Sequence, residues 1–281
     1  FHLKYSFIFS VMFISHSLVS IFLYISSTTV LSTDTTALGV HYSLHSILRV
    51  FSQPEYYGNV LVAELMAKLR HSRVTSLPYV PPMANRMPFV VIDGFYTAGR
   101  TAVAKLVSKA IGAMHIISPP KRLSRLRRYF ARTGLRKHFY ALSKYVTSNI
   151  VLSQLYYFPI VLERYWHDHA AYEFAAHLDP PPPEGSNLYE LPGDLARPDI
   201  FFFLNGALSP LKNNATTVKN HETLPFGKKL VQIYRKMRNP APIEIGPAML
   251  PQAMANEIIN HIDVMVKHYF PRLRKVTYTN F

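Results

Sequence analysis

The stretch from Phe89 to Ile111 constrains the fold more than any other part of the sequence. Phe89 to Ile92 are all apolar and predict a short buried strand. A loop containing Gly94 and Gly99 follows this strand. The apolar residues after the loop recur at i, i+3, i+4, i+7 and i+8, and they are Val103, Leu106, Val107, Ala110 and Ile111. A strand, a glycine loop and an amphipathic helix in this order are typical of a phosphate-binding turn.

The loop approaches the phosphate-binding pattern GxxxxGK[ST]. It reads Gly94-Phe-Tyr-Thr-Ala-Gly99-Arg100-Thr101, so arginine stands where the pattern has lysine. Backbone N–H groups at a helix N-terminus and the helix dipole both favour an anion there. The Thr101 hydroxyl can bind a Mg²⁺ ion that also holds phosphate, and Arg100 keeps the positive charge on a wider, planar group. The alternative is an ordinary strand–turn–helix without a ligand.

The composition indicates attraction to anions and excludes several kinds of site. The 281 residues include 31 lysines and arginines against 16 aspartates and glutamates. Such an excess attracts nucleotides, nucleic acid and acidic lipids. The absence of cysteine excludes disulfides, thiolate metal sites and cysteine nucleophiles. No GxSxG nucleophile elbow is present.

The chain before the glycine loop divides into two regions. Residues 1–33 form an apolar leader, and residues 5–31 are long enough to cross a bilayer, which takes roughly 20 residues. A secretory signal, a membrane anchor and a mistranslated leader all fit this region. Residues 34–83 are interpreted as an N-terminal extension and linker that ends in a proline-rich break. Residues 84–281 are interpreted as the main domain.

Four further strands are predicted in the main domain, separated by helical patterns. The strands are Met114 to Ile117, Pro159 to Leu162, Asp199 to Leu204 and Pro242 to Ile245. Helices are predicted over residues 140–155, 226–238 and 253–270, and one over 60–69 in the extension. Strands that are nearly all apolar and alternate with helices indicate an α/β fold, with a parallel five-stranded sheet covered by helices on both faces.

Charge is unevenly distributed along the main domain. Between residues 121 and 137 the chain carries eight cations, and no acidic residue occurs between Asp93 and Glu163. A solvated helix face and an anion site both explain this basic run. Glu163 and Arg164 follow the third strand, at the edge where open α/β sheets bind ligands. The alternative for this pair is an ion pair that caps the strand.

From about Pro88 to Phe270 the chain resembles the thymidylate kinase family, most closely its mitochondrial UMP-CMP kinase branch. The matching segments keep the family's order: Phe89-Val-Val-Ile-Asp-Gly94 with the glycine loop, Ser118-Pro-Pro120, Phe139-Tyr-Ala-Leu142 with Tyr145, Glu163-Arg-Tyr-Trp166, Leu195 with Arg197-Pro-Asp199, and Asn239-Pro240. The resemblance implies a three-layer P-loop NTPase fold. It also implies Mg²⁺-dependent transfer of a phosphoryl group from ATP to a pyrimidine nucleoside monophosphate such as dTMP, dUMP, UMP or CMP. A homodimer and a mitochondrial or cytoplasmic location are further implications.

The resemblance implies roles for individual residues. The phosphates of ATP would be bound by Gly94, Ala98, Gly99, Arg100, Thr101 and Ala102. The monophosphate would be bound by Tyr140, which stacks on the base, and by Lys144, Arg164 and Tyr165. Mg²⁺ would be held, directly or through water, by Thr101 and Glu163. The expected catalytic residues are Arg100, Glu163 and Arg164. The basic run then lies in the monophosphate region, so nucleic acid is not an expected partner.

The chain also departs from the family's pattern. Tyr96 replaces an aspartate that helps to select the acceptor sugar, Arg100 replaces the lysine, and Ala102 replaces a hydroxyl residue. Glu163 is one methylene longer than the family's aspartate. The predicted lid, residues 205–220, has two lysines where the family's lid is rich in arginine. Such arginines can contribute ~10³-fold or more to the rate. A catalytically impaired protein that binds a nucleotide or a partner is therefore the alternative to an active kinase.

Two weaker motifs remain. Trp166-His-Asp-His169 contains residue types that bind Zn²⁺, but residues at i and i+2 on a helix point apart. Asn214-Ala-Thr216 matches the N-glycosylation sequon, which matters only if the domain enters the secretory lumen.

Overall fold

The computed structural model describes residues 35–72, 80–95, 99–205, 225–246, 249–270 and 273. The strands are β1 (Phe89–Gly94), β2 (Met114–Ile117), β3 (Ile160–Glu163), β4 (Ile200–Leu204) and β5 (Ile243–Ile245). The helices are α1 (Leu44–Phe51), α2 (Val60–Ser72), α3 (Arg100–Ile111), α4 (Ser124–Phe130), α5 (Arg136–Gln154), α6 (Trp166–His177), α7 (Pro225–Lys236) and α8 (Pro251–Tyr269). None of the helices in these ranges is long and apolar enough to span a membrane. The predicted leader, the sequon and all but the first residue of the predicted lid lie outside the described residues, as do Tyr96 and Ala98.

The five strands form one parallel sheet in the order β2-β3-β1-β4-β5. This confirms the predicted α/β fold with a parallel five-stranded sheet, in which β1 is the central strand. Strands β2 and β3 lie on one side of β1, and strands β4 and β5 lie on the other side. The strand order therefore reverses beside β1, and the carboxyl ends of β1 and β3 border the crevice where such sheets bind ligands.

Helices cover both faces of the sheet, as predicted. Val90 and Ile92 of β1 point to one face, where they pack in a core with residues of α3 and α8. Phe89 and Val91 point to the other face and pack with residues of α1, α2, α5, α6 and α7. This alternation follows from the period of two along a strand. All four side chains are fully buried, which is why β1 reads as a continuous apolar run.

Residues from Leu38 onward form one compact unit. Ile47 and Phe51 of α1 and Leu65 of α2 are buried in the same apolar core as the sheet. The predicted start of the main domain at residue 84 stays a prediction, but α1 and α2 contribute side chains to the core of the unit that contains the sheet.

A buried ion pair fixes the beginning of β1 against β4. Both guanidinium Nη atoms of Arg86 donate to the carboxylate of Asp199 at 2.6 Å. Asp199 Oδ2 also accepts from the backbone N–H of Phe89 at 2.7 Å. Both charged side chains are almost completely buried, and a bidentate pair of this kind is the strongest form of Arg–carboxylate contact.

Candidate functional site

Two glycines shape the turn between β1 and α3. Gly94 has φ +134°, and a Cβ there would lie 2.4 Å from the carbonyl oxygen of Leu204 on β4. Gly99 is left-handed at φ +69° and caps the N-terminus of α3. Its carbonyl accepts the backbone N–H of Ala102 at 2.8 Å, and the Ala102 side chain is exposed. The positions predicted from the phosphate-loop pattern are thus those where the backbone requires glycine.

Thr101 and Glu163, which the resemblance assigns to one Mg²⁺ ion, meet at the beginning of α3. Thr101 Oγ1 donates to Glu163 Oε2 at 2.9 Å, and His115 Nε2 of β2 lies 2.5 Å from Oε1. The carboxylate is fully buried. Burial opposes its ionisation, but the hydrogen bonds from His115 and Thr101 outweigh burial and hold the pKa of Glu163 below its usual value.

The donor set at this point fits Mg²⁺. Mg²⁺ prefers oxygen ligands, and it usually binds one or two carboxylates together with water and substrate phosphates. The Thr101 hydroxyl and the Glu163 carboxylate are oxygen donors that already lie in contact. A carboxylate has about four lone-pair positions, and the two hydrogen bonds occupy only two of them.

The histidines of the Trp166–His169 motif do not come together as a metal site. His167 is fully buried and stacks on Phe201 at a centroid distance of 4.2 Å. His169 Nε2 lies 2.8 Å from the carbonyl oxygen of Gly39. Within the described ranges no group of three or more His, Asp or Glu side chains could hold a metal ion. The sequence argument that neighbours at i and i+2 point apart agrees with this geometry.

Arg100 is directed toward protein groups at the site. Its Nη1 donates to the carbonyl oxygen of Gly94 and to Asp168 Oδ1, both at 2.9 Å. Its Nε lies 3.9 Å from Glu163 Oε2. Burial opposes its charge, but the carboxylates of Asp168 and Asp93 outweigh burial and raise the pKa of Arg100. The residue at the lysine position of the loop pattern is therefore a member of a buried ion network.

Arg164 has a strained backbone that neighbouring charges hold in place. Its φ is +65°, a left-handed conformation that costs a residue with a side chain about 1–3 kcal/mol. Its N–H donates to Asp93 Oδ1 at 2.7 Å, and its carbonyl oxygen accepts from Lys144 Nζ at 2.7 Å. Burial and the charge of Asp168 raise the pKa of Asp93. Such strain marks functional sites, and here it orients the Arg164 side chain.

Lys144 is a buried cation next to this backbone. It is 2% exposed, and burial lowers its pKa to about 8 although Asp168 and Asp93 oppose that shift. The Nε of Arg164 is also buried, and no described residue accepts its hydrogen bond. Both cations line the same cavity.

This cavity has a volume of about 900 Å³ and lies between α5 and α6, beside the beginning of α3. Its acidic lining residues are Asp168 and Glu173. Its basic lining residues, apart from two histidines, are Arg100, Arg127, Arg136, Lys137, Lys144 and Arg164. The volume is that of a small-molecule site, and the excess of cations favours an anionic ligand.

Two predicted monophosphate-binding tyrosines have different positions. Tyr140 lines the cavity, and its hydroxyl lies 3.3 Å from Arg127 Nε. Tyr165 does not line it, contrary to the prediction. Its side chain is fully buried in the core and donates to the carbonyl oxygen of Ala196 at 2.9 Å. Only the backbone N–H of Tyr165 reaches the site, where it bonds Asp93.

The unpredicted residues of the site include Asp93, His115 and Asp168. Asp93 carried a signal, because it ends β1 at the same sheet edge as Glu163. Asp168 stood in the motif considered for zinc. His115 carried no signal, since its contact with Glu163 joins two strands that are 48 residues apart.

No protein-family model matches the chain. Among solved structures, the chain is similar to a thymidylate kinase from Candida albicans, an enzyme of broad substrate specificity. The two chains are 17% identical, with a TM-score of 0.49, and the similarity covers 65% of this chain and 94% of that chain.

Proposed function

We propose that the chain is a nucleoside-monophosphate kinase, which transfers the γ-phosphoryl group of ATP to a pyrimidine (deoxy)nucleoside monophosphate. The observation that carries this proposal is the adjacency of two anion sites at one sheet edge. The beginning of α3, with its Thr101–Glu163 contact, suits the phosphates of a nucleoside triphosphate. The cavity beside it suits a smaller anion, and Arg100 contributes to both. The resemblance to the thymidylate kinase family, and to its UMP-CMP kinase branch, supports the same function.

The site suits phosphoryl transfer because this reaction depends on positioning and on neutralising charge. An oxygen of the acceptor phosphate forms a bond to the γ-phosphorus, the bond from that phosphorus to the bridging oxygen breaks, and ADP leaves. Arg164 and Lys144 bind the acceptor phosphate from the cavity side and offset the charge that develops. Mg²⁺, held by Thr101 and Glu163, supplies further neutralisation when it is bound with ATP.

A coupled assay on the full chain tests this function. The protein is supplied with Mg²⁺-ATP and, separately, with dTMP, dUMP, UMP and CMP. We expect diphosphate to form, and Arg164→Ala to lower the rate by about 10³-fold, the contribution of a transition-state arginine. Arg70→Ala, an exposed arginine on α2, is the matched control and should keep the rate. A folded protein that forms no diphosphate above the enzyme-free background would exclude the kinase.

A second candidate, a catalytically impaired protein that still binds a nucleotide or a partner, is favoured by the contacts of Arg100. This cation is already engaged by Asp168 and by the Gly94 carbonyl. The double variant Arg100→Lys/Asp168→Asn restores the loop pattern and removes the competing carboxylate. Activity that appears only in this variant supports the impaired protein. A native rate that the variant changes only modestly means that Arg100 does the work of the lysine.

The same resemblance supports a homodimer and a mitochondrial or cytoplasmic location. Light scattering on the purified full chain tests the dimer. Fractionation of cells that express the full chain tests the location, and recovery with membranes would instead support an anchor in residues 5–31.

A further inference from the structure

Glu173 on α6 is a cavity-lining carboxylate, one oxygen of which accepts no hydrogen bond. The residue is only 9% exposed, and within the described part of the chain its Oε2 accepts no hydrogen bond. His177 Nδ1 lies 3.4 Å from this oxygen, and the ammonium Nζ of Lys137 lies 3.7 Å from it. A buried carboxylate oxygen without a donor is costly. Glu173 therefore places a hydrogen-bond acceptor in the cavity lining, and a ligand with a donor group suits this position.

The position of Glu173 in the cavity indicates which part of a ligand it meets. Lys144, Tyr140 and Lys137 are spaced i, i−4 and i−7 along α5 and line the cavity. At 1.5 Å per residue, Lys137 lies about 10 Å along the helix from Lys144. Lys144 holds the backbone of Arg164 at one end, and Lys137 pairs with Glu173 at the other. Tyr140 lies between these ends on the same helical face.

This arrangement matches the shape of a nucleoside monophosphate. A phosphate at the Arg164–Lys144 end places the sugar and base beside Tyr140, whose ring can stack on the base. The far edge of the base then faces Glu173. A carboxylate accepts hydrogen bonds and donates none, so this end of the cavity favours a base edge with an N–H donor.

Building on the proposed function, we infer that Glu173 selects cytosine among the pyrimidines by accepting a hydrogen bond from its 4-amino group. Carboxylates are the side chains that accept from cytosine N4. Uracil and thymine carry a carbonyl oxygen at this position. This oxygen and the carboxylate are both hydrogen-bond acceptors, so they repel each other. Their one ring donor, N3–H, lies between two such oxygens. Cytidine monophosphates are therefore the preferred acceptors.

Calorimetric titration of the full chain with CMP, UMP, dTMP, AMP and GMP at neutral pH tests this selection without requiring turnover. We expect CMP to bind about tenfold or more tighter than UMP, the discrimination of one good base contact. Glu173→Gln should weaken CMP by a similar factor and improve UMP, because an amide can donate to the 4-carbonyl. Glu184→Gln, an exposed glutamate, is the matched control and should change neither ligand.

A change on the ligand side makes the test independent of how the variant folds. The 5′-monophosphate of the pyrimidin-2-one riboside lacks the 4-amino group, and it should bind the unmodified protein about as weakly as UMP. Equal affinities for CMP and UMP, or a ratio that Glu173→Gln leaves unchanged, would overturn the inference and leave the kinase proposal standing. Tightest binding of GMP or AMP would overturn the choice of a pyrimidine. Binding of none of the mononucleotides would reject the proposed function itself.

Discussion

Removing residues 1–83 should strongly destabilise the domain that remains, because α1 and the segment before it cover part of its core. The ring of Phe51 packs on Phe130 at a centroid distance of 6.2 Å, and that of Tyr42 on Trp166 at 5.6 Å. Phe130 and Trp166 are no more than 2% exposed. Burial of a large apolar side chain contributes about 1.5–3 kcal/mol. Uncovering these two therefore costs about 3–6 kcal/mol, out of a typical total of about 5–15 kcal/mol.

The loss should also reach the cavity wall on α6. Trp166 Nε1 donates to the carbonyl oxygen of His41, and His169, which lines the cavity, bonds the carbonyl oxygen of Gly39. Urea and thermal unfolding of the full chain and of residues 84–281 measure the effect. At about 2–4 °C per kcal/mol for a domain of this size, the fragment should melt about 6–24 °C below the full chain.

Two point variants in the same segment provide a matched comparison. Phe51 is 4% exposed and Tyr57 is 73% exposed. Phe51→Ala should cost about 3–5 kcal/mol, as aromatic-to-alanine changes in a core do, whereas Tyr57→Ala should stay within about 0.5 kcal/mol. A fragment that unfolds at the same urea concentration as the full chain, together with equal costs for the two variants, would refute the reasoning.

Three further predictions concern buried ionisable side chains. Because the pKa of Lys144 is about 8, its charge is lost as pH rises through 8, so the Kd of a mononucleotide should rise about tenfold per pH unit above 8; Lys144→Met should flatten this profile. His167 has a pKa lowered to about 3 by burial, so below about pH 6.5 the unfolded chain binds a proton that the folded chain does not. Unfolding free energy should then fall by about 1.4 kcal/mol per pH unit from this residue, and in urea titrations at pH 7 and pH 5 His167→Phe should remove that loss, whereas His45→Gln, at an exposed position, should not. Asp199→Ala leaves the Arg86 charge buried without its partner, so urea unfolding should show a loss of about 3–5 kcal/mol, and an unchanged midpoint would contradict the role of this pair.

The three central strands β1, β3 and β4 could be predicted because each of them is buried on both faces. The apolar run predicted at 89–92 extends to Gly94 in the structure, and the strand predicted at 114–117 is β2. Helix α6 was not predicted, and its buried residues explain why. Its buried residues include Trp166, His167, Ala170, Ala171 and Phe174. His169 and Glu173 are buried as well, so polar side chains interrupt the apolar pattern and the sequence shows no clear helical period.

The site could be predicted in part, because sheet topology brings distant residues to one edge. The resemblance assigns Thr101 and Glu163 to one Mg²⁺ ion, and their side chains are in contact. Side-chain direction could not be predicted. Arg164 adopts a left-handed backbone, after which the chain turns the Tyr165 side chain into the core. That turn depends on Asp93, which is 71 residues away from Arg164 in the sequence.

The substitution at residue 100 looks different once its partner is known. In the sequence alone, Arg100 is a lysine lost from the loop. In the structure Arg100 lines the cavity and pairs with Asp168. A buried guanidinium needs such a partner, because removing one member of a buried ion pair typically costs about 3–5 kcal/mol of stability. The cation at this position therefore lines the same cavity as Lys144 and Arg164, the two cations that we propose bind the acceptor phosphate. Under the proposed function these cations remain on the acceptor side without the lysine, so phosphoryl transfer then depends on how well the backbone at Gly99 and the Thr101–Glu163 contact hold ATP.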